Sequence, residues 1–422
     1  MGYFMLTSIF ILAHKSCGDT IKNWVNWGFV LMTKVVLHQG KQKRIAGGHP
    51  WVYWGEIKEI IGDFNPGDIV EVVDFRDRFV GRGYINPASQ ITVRIMTRNS
   101  EEEINEEFFR KRIQGAWEYR QKVVRESNAC RVIFGEADFL PALIVDKFGD
   151  YLSVQTLALG IDVHKETIFK LLQEIVQPKG MYERNDVSVR KLEGLPLITG
   201  FIGEPFDPKV VIKENGIQFV VDLEGGQKTG YFLDQRENRM ALQGLVKGSR
   251  VLDCFCHTGT FSMYATKYGA KEVLGLDIAA PALEVARVNA QLNGYGDRCT
   301  FKECNSFDEL RAMERAEEKF DVVILDPPAF TKSRKAIEGA IRGYKEINLR
   351  GMKLLPPGGY LITCSCSYHM HEDMFLDVIL DAARDAGRQL RLVELRRQAK
   401  DHPMLLGYPE SHYLKCVVLQ VW

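Results

Sequence analysis

The chain has 422 residues, well beyond the roughly 250–300 at which one hydrophobic core usually stops growing, so two or three domains are expected. Hydrophobic residues make up 45% and charged residues 26%, a globular composition that excludes a disordered chain. Lys plus Arg number 55 and Asp plus Glu also number 55, so a nucleic-acid partner would have to bind a local basic patch.

The cysteines and the apolar segments indicate a cytoplasmic protein with no membrane partner. The nine cysteines are an odd number and include two close pairs, Cys254/Cys256 and Cys364/Cys366, which favours reduced thiols over a disulfide framework. No apolar run reaches the roughly 18–20 residues of a membrane helix. Residues 1–31 are interpreted as an extension peripheral to the fold, with a cleaved signal peptide as the less favoured alternative.

The first two folded segments are predicted to be small. Residues 33–100 predict a β-barrel, because strand-like runs rich in β-branched residues alternate with Gly and Pro turns; these runs are 68–74, 78–85 and 91–96. Residues 101–206 predict an α+β domain with helices at 101–124 and 163–176 and strands at 140–145, 151–155 and near 181. Exposed strand edges in this second segment could pair two copies, so a homodimer is among the expected partners.

Residues 207–422 predict a parallel α/β sheet with helices on both faces. Strand-like runs alternate with helical patterns in this part of the chain. The predicted strands are 250–253, 272–277, 320–326 and 359–363, and the predicted helices are 259–268, 280–293, 335–355 and 371–386. Ligands of such sheets bind at the carboxyl ends of the strands, where all the motifs below fall.

The first two strand ends favour a nucleoside ligand. A tight turn from Asp253 to Gly259 lets backbone N–H groups approach a ligand, and Asp277 ends the next strand at a spacing suited to ribose hydroxyls. The turn has one glycine, a poor dinucleotide fingerprint, so S-adenosylmethionine (SAM), which lacks a pyrophosphate, fits better. The alternative is that both aspartates are ordinary strand-end carboxylates.

The third and fourth strand ends suggest chemistry on a pyrimidine. Asp326-Pro-Pro-Ala-Phe330 is predicted to be an extended loop whose carbonyls could accept hydrogen bonds from the amino group of a base, and Phe330 could stack on that base. The alternative is that the two prolines simply end the strand. A thiolate that adds to carbon 6 makes carbon 5 nucleophilic, and Cys364 and Cys366 follow the fourth strand. The spacing does not show which of these two cysteines is the nucleophile. One alternative is that both are inert structural cysteines, and a less favoured one is that they form a metal site with nearby histidines.

From residue 33 to its end the chain resembles the PUA-domain, SAM-dependent 23S ribosomal RNA cytosine-5 methyltransferases. The segments that carry the resemblance occur in the family's order: Gly48-His-Pro-Trp-Val-Tyr53 followed by Glu56-Ile57, Gly135-Glu-Ala-Asp138, Leu140-Pro-Ala-Leu-Ile-Val-Asp146, Gly226-Gln-Lys-Thr-Gly-Tyr-Phe-Leu-Asp-Gln-Arg236 with Asn238-Arg239 after it, Asp253-x-Phe-x-x-x-Gly259, Asp326-Pro-Pro-x-Phe330, Tyr344-Lys-Glu-Ile-Asn348 and Ser365-Cys-Ser367. The resemblance implies a PUA domain, a central α+β domain and a class I, Rossmann-like methyltransferase domain.

The resemblance also implies roles for individual residues. It makes Cys366 the nucleophile and assigns Asp326 to the target base and Asp277 to the ribose hydroxyls. It places five residues along the cofactor and substrate cleft, namely Lys228, Thr229, Phe232, Asp234 and Arg236. The expected cofactor site consists of these five cleft residues and six residues at the strand ends, namely Asp253, Phe255, Gly259, Asp277, Asn305 and Asp326.

Two positions depart from the family's pattern. Asn305 stands where related proteins usually carry an acidic residue near the adenine, which predicts weaker SAM binding because an amide oxygen can still accept from the exocyclic amine. Ala329 stands where other RNA cytosine-5 methyltransferases carry a second cysteine for enzyme release. The group that removes the carbon-5 proton therefore stays unassigned.

Ribosomal RNA is the expected partner, and two basic clusters are its candidate contacts. Lys41, Lys43 and Arg44 precede the Gly48–Trp51 turn, and a later hairpin carries Arg76, Arg78 and Arg82. A solvated surface with scattered cations is the alternative. Two other functions stay open: a methyltransferase acting on a base nitrogen, which needs no cysteine, and a non-catalytic RNA-binding ribosome-assembly factor.

Overall fold

A computed structural model describes residues 32–227, 229–331 and 336–422. The proposed extension at 1–31 and the cofactor candidate Lys228 lie outside the described residues. The described strands form four sheets of six, five, two and seven strands, and each sheet is completed in the chain before the next begins. None of the helices in these ranges is long and apolar enough to cross a membrane.

The first sheet has the order β2-β6-β5-β4-β1-β3. Its strands are β1 (Lys34–Leu37), β2 (Trp51–Tyr53), β3 (Ile57–Ile61), β4 (Ile69–Val73), β5 (Phe79–Ile85) and β6 (Ile91–Thr97). Neighbouring strands are antiparallel except β1 and β4, and the alternating inward residues build a small aliphatic core around Val35, Val70 and Val93. A five-residue helix, α1 (Gln42–Ala46), carries the first basic cluster and was not predicted.

The second sheet has the order β11-β10-β9-β8-β7, with helices packed against it. Its elements are α2 (Glu106–Val123), β7 (Ala129–Phe134), β8 (Leu143–Phe148), β9 (Tyr151–Thr156), α3 (Leu159–Asp162), α4 (Lys165–Val176), β10 (Gly180–Asn185), α5 (Val189–Leu192) and β11 (Ile198–Ile202). Helix α2 begins later than predicted because the Asn105 side chain caps it, accepting from the Phe108 N–H at 3.1 Å.

A two-stranded ribbon and a short helix lead into the last sheet. The ribbon consists of β12 (Lys209–Glu214) and β13 (Ile217–Asp222), and the helix is α6 (Arg236–Arg239). Phe219 of the ribbon packs on Tyr231 and Tyr264, so the ribbon belongs to the core of the seven-stranded sheet.

The last sheet has the order β16-β15-β14-β17-β18-β20-β19, with β20 antiparallel to both of its neighbours. Its strands are β14 (Arg250–Cys254), β15 (Glu272–Asp277), β16 (Cys299–Glu303), β17 (Val322–Leu325), β18 (Gly359–Ser365), β19 (Leu390–Arg396) and β20 (Lys415–Val421). Its helices are α7 (Thr260–Lys267), α8 (Ala280–Leu292), α9 (Ser306–Arg315), α10 (Ile337–Lys353) and α11 (Glu372–Ala386). The strand order reverses beside β14, which places a ligand crevice at the carboxyl ends of β14 and β17.

The connection between β19 and β20, residues 397–414, contacts the other parts of the protein. Gly407 lies against Gly48 of the first segment so closely that a Cβ atom on Gly407 would fall 2.7 Å from the Gly48 backbone. Tyr408 packs edge-on against Trp51, with ring centroids 4.9 Å apart. Asp401 accepts a hydrogen bond from the Arg131 N–H of β7 at 3.0 Å. We call residues 397–414 the bridging segment.

Candidate active site

A cleft of about 650 Å³ opens at the carboxyl edge of the seven-stranded sheet. This volume is within the roughly 300–1,000 Å³ of small-molecule sites. The carboxyl ends of five neighbouring strands, β14 to β18, contribute to its lining, together with residues around α6. The lining includes Phe232, Asp234, Gln235, Arg239, Phe255, His257, Asp277, Ile278, Asn305, Phe307, Asp326, Pro327, Pro328, Ala329, Phe330, Cys366 and Leu414.

The turn after β14 approaches the cleft with an unusual backbone. Phe255, His257 and Gly259 all have positive φ, at 62°, 50° and 73°. A Cβ atom on Gly259 would lie 3.1 Å from Ala286 and from the Phe301 ring, so the tight turn depends on glycine. Gly259 itself supports the site from behind, whereas Phe255 and His257 face the cleft.

Asp277 presents a carboxylate held in a fixed orientation. Its Oδ2 accepts from the His257 N–H at 2.8 Å, and its Oδ1 accepts from the Ala279 N–H at 2.9 Å. Each carboxylate oxygen has a second lone pair, so the group can accept further hydrogen bonds from a ligand. Ile278, 69% exposed, and Phe307 provide apolar surface beside it.

Two other expected cofactor residues differ in how they meet the cleft. Asp253 is completely buried beneath the turn, where its Oδ2 accepts from the Ser262 hydroxyl at 2.6 Å and burial raises the pKa of its carboxyl to about 7. Asn305 lies in the lining, but its side-chain oxygen caps α9 by accepting from the Phe307 N–H at 2.9 Å. Asn305 therefore has one remaining lone pair for an adenine amine.

Asp326 is oriented by two residues, Gln235 and Asn238, that belong to the family's sequence marks but were given no role from the sequence. The Gln235 side-chain amide donates to Asp326 Oδ1 at 2.7 Å, and Asn238 in turn donates to Gln235 Oε1 at 2.7 Å. Phe330 lies over Tyr344, with ring centroids 4.6 Å apart, and this contact fixes the far end of the Asp-Pro-Pro loop. The loop therefore offers a positioned carboxylate and an aromatic ring to the same space.

The structure separates the two cysteines that spacing left equivalent. Cys364 is completely buried in β18 opposite Cys416 of β20, and the hydrogen bond with Cys416, together with burial, holds the pKa of the Cys364 thiol well above its usual value. Cys366 follows the strand end and lines the cleft, with its Sγ 3.9 Å from the Pro327 carbonyl oxygen. Cys366 is the thiol placed to meet a ligand beside Asp326.

The segment before α6 is divided between the cleft and the protein interior. Phe232 and Asp234 line the cleft, and Asp234 accepts from the Tyr413 hydroxyl at 2.6 Å. Thr229 lies outside the lining and donates to Asp146 at 2.5 Å. Arg236 also lies outside it and forms a buried ion pair with Asp401 at 2.9 Å. The structure therefore places Thr229 and Arg236 behind the cleft rather than along it.

Arg239 is a cleft residue to which sequence reasoning gave no role. Its guanidinium pairs with Glu214, both side chains being fully buried, and donates to the Phe232 carbonyl at 3.0 Å. The sequence signal was the Asn238-Arg239 pair that follows the segment ending at Arg236 in the family resemblance.

The basic clusters of the first sheet are only partly available to a partner. Lys41 at the N-terminal cap of α1 and Lys43 within α1 are exposed, whereas Arg44 is half-buried and pairs with Glu56 at 2.6 Å. Arg78 pairs with Asp74 at 2.6 Å but stays 65% exposed. The expectation that Arg82 faces solvent is wrong: it is buried, pairs with Glu71 at 2.7 Å and donates to the Ser100 and Glu102 carbonyls.

Within the described ranges, no group of three or more His, Cys, Asp or Glu side chains is arranged to hold a metal ion.

The sheet order and the cleft define the class of protein: a class I, Rossmann-like methyltransferase domain behind a PUA-like domain. The family model described as S-adenosylmethionine-dependent methyltransferase matches residues 196–407, and the model of the PUA-like domain matches residues 35–98. The fold class and the SAM cofactor expected from the sequence are thereby confirmed.

Two curated relatives identify the family of methyltransferases to which the chain belongs. The chain is 42% identical to ribosomal RNA large subunit methyltransferase I of Shewanella amazonensis over 393 residues, which cover 92% of this chain and 99% of the relative. It is 40% identical to the protein of the same name from Tolumonas auensis, covering 92% of this chain and 100% of the relative. The chain belongs to the family of SAM-dependent methyltransferases that contains these proteins, which confirms the resemblance.

Solved structures show the same fold at lower sequence identity. A SAM-dependent methyltransferase from Streptococcus mutans has a TM-score of 0.78 and 20% identity, covering 92% of this chain and 99% of its own. A methyltransferase crystallised with SAH has a TM-score of 0.79 at 20% identity and the same coverage.

Proposed function

We propose that this protein transfers a methyl group from SAM to carbon 5 of a cytosine in large-subunit ribosomal RNA, through a covalent adduct with Cys366. The observation that carries the proposal is that Cys366 and Asp326 line one cleft with Asp277, while Cys364 is buried away from it. The names of the curated relatives support the RNA substrate.

The residues of the cleft fit SAM. Asp277 offers a carboxylate already aimed by two backbone N–H groups, which suits the two ribose hydroxyls. Ile278, Phe307 and Asn305 offer apolar surface and one amide acceptor, which suits an adenine ring. Bound SAM supplies an electrophilic methyl group on a sulfonium sulfur.

The part of the cleft around Asp326 and Cys366 supplies the groups that would bind and activate the cytosine. Asp326, held by Gln235, would hydrogen-bond the N3/N4 edge of the cytosine, and Phe330 would stack on its face. The Cys366 thiolate forms a bond to carbon 6, and the electron pair of the ring double bond moves to carbon 5, which accepts the methyl group. Loss of the carbon-5 proton and cleavage of the carbon–sulfur bond restore the ring and the thiolate.

The test is to identify the modified base and trap the adduct. Large-subunit ribosomal RNA methylated by the purified protein should yield 5-methylcytidine on nucleoside mass spectrometry. RNA containing 5-fluorocytosine should stay linked to Cys366 after methyl transfer, because no carbon-5 proton can leave. Methylation of a ring or exocyclic nitrogen would instead indicate the nitrogen-directed class, and RNA binding without methylation of any base would indicate an assembly factor.

Replacing Asp277 with alanine should weaken SAM binding. The change removes two charge-assisted hydrogen bonds to the ribose, so we expect a loss of about 2–3 kcal/mol in binding free energy, measured by calorimetry. Asp308→Ala is the matched control, because Asp308 is an exposed carboxylate near the cleft but outside its lining. Unchanged SAM affinity in a folded Asp277→Ala protein would remove the ribose assignment.

Neutralising the exposed lysines of α1 should weaken RNA binding and flatten its salt dependence. Lys41→Gln and Lys43→Gln together should reduce the slope of log affinity against log salt by about one unit per phosphate contact removed. Lys111→Gln, which neutralises a 74% exposed lysine on α2, should leave the slope unchanged. An unaltered slope in the double variant would show that this surface is merely solvated.

A further inference from the structure

Lys415 is a buried lysine beside the loop that carries Cys366. It begins β20 directly opposite Ser365 of β18, and only 2% of its surface is exposed. Its ammonium donates to the Ser367 carbonyl at 2.7 Å and to the Tyr413 carbonyl at 2.9 Å. Burying an ammonium is costly, and the two neutral carbonyls satisfy two of its three N–H groups without neutralising its charge.

The loop around Cys366 is held on both sides. Ser365 and Ser367 flank the cysteine, and each serine hydroxyl lies 3.0 Å from the hydroxyl of Tyr344 on α10. Lys415 holds the backbone of Ser367 from the other side. The position of Cys366 relative to the ammonium is therefore set by contacts on both of its neighbours.

Several charged and titratable groups lie near Cys366 or Lys415, and His412 of the bridging segment is among those that act on Lys415. Asp326 lines the same cleft from the loop after β17, and Glu372 of α11 acts on Lys415. Tyr344, Tyr413 and Lys415 each interact electrostatically with Cys366, and of these three only Lys415 can carry a positive charge. Burial lowers the pKa of Lys415 to about 8, while Cys366 acts in the opposite direction, so the ammonium form prevails at neutral pH.

We propose that Lys415 is a positioning residue whose buried ammonium stabilises the thiolate of Cys366. The proposal rests on the proposed function, in which Cys366 is the nucleophile. The thiol proton leaves to solvent, the thiolate forms the bond to carbon 6, and breaking that bond returns the electron pair to sulfur beside the same ammonium. Lys415 lies outside the lining of the cleft, so it serves the thiolate and does not touch carbon 5.

The experiment measures the apparent pKa of the Cys366 thiol from the pH dependence of its alkylation by iodoacetamide, followed on the Cys366 peptide by mass spectrometry. The wild-type pKa should lie below the reference of about 8.5. Lys415→Met should raise it by about one unit or more, and Lys415→Arg should restore most of the difference. Lys147→Met is the control, because the Lys147 ammonium also donates to a backbone carbonyl, that of Gly149, but on β8.

The outcomes separate this inference from the proposed function. A wild-type Cys366 pKa at or above 8.5 overturns the inference even if Lys415→Met does not fold. An equal Cys366 pKa in wild type and folded Lys415→Met also overturns it, and would leave Lys415 a purely structural tie. If the pKa depends on Lys415 but no 5-methylcytidine is formed, the ion pair stands and the proposed function fails.

Discussion

The Cys366→Ala protein should bind SAM and RNA with nearly wild-type affinity yet lose methyl transfer by roughly a thousandfold or more. In the proposed function the sulfur–carbon bond would exist only along the reaction path, so its loss would affect turnover and leave ground-state binding intact. The side chain is small and lines an open cleft, so its loss leaves no cavity in the core. Single-turnover methylation together with SAM calorimetry measures both quantities.

Cys364→Ala is the matched control, because the same atom is removed two residues away. Cys364 is buried against Cys416 and does not line the cleft, so this variant should keep most of its turnover and lose some stability. Carbon-5 methylation by Cys366→Ala, or a trapped adduct on Cys364, would show that the nucleophile is misassigned.

Asp401→Asn should cost about 3–5 kcal/mol in the free energy of unfolding at pH 7, the largest stability change expected of any single substitution considered. Asp401 is fully buried, accepts a hydrogen bond from Arg236 at 3.0 Å and makes a second ion-pair contact with it at 2.9 Å, so neutralising Asp401 leaves a buried cation without its ion-pair partner. Burial alone would raise the pKa of Asp401, but His402 and Arg236 hold it well below its usual range.

The lowered pKa of Asp401 also sets a pH signature. The carboxylate contributes stability above its unfolded pKa of about 3.9, and this contribution is lost as pH falls toward the folded value. Urea unfolding at pH 7 and at pH 3, which lies between the unfolded and folded pKa values, should therefore differ less in Asp401→Asn than in the wild type. Asp150→Asn, which removes a surface carboxylate paired with Lys179, should leave the pH 7 midpoint nearly unchanged. Equal midpoints for wild type and Asp401→Asn would show that the ion pair contributes nothing.

Local sequence pattern predicted those features of the fold that short stretches encode. The strands and helices from 250 to 386 follow hydrophobic periodicity, and the strand-end motifs Asp277, Asp326 and Cys366 do meet in one cleft because parallel strands end at a common edge. Strand β16 and helix α9 were not predicted. Strand β16 is a short edge strand whose residues are mostly not buried, so its pattern is weak.

The remaining features depend on contacts between distant positions. Gln235 orients Asp326 from 91 residues away, and Arg236 meets Asp401 across 165 residues. Spacing cannot reveal such pairs, and for the same reason Arg82 was assigned to the surface although Glu71 and two carbonyls hold it inside. Lys415 likewise gains a role only because β20 lies beside β18.

The bridging segment links the PUA-like domain to the cleft of the methyltransferase domain. Along residues 397–414, Asp401 near the start binds Arg131, Gly407 and Tyr408 in the middle pack on Gly48 and Trp51, and Leu414 at the end lines the cleft. A PUA-like domain tied down in this way keeps a constant separation from Cys366. In the proposed function, an RNA that docks on the α1 lysines can then deliver only a cytosine lying at that fixed span, so the shape of the RNA would select the target along with its sequence.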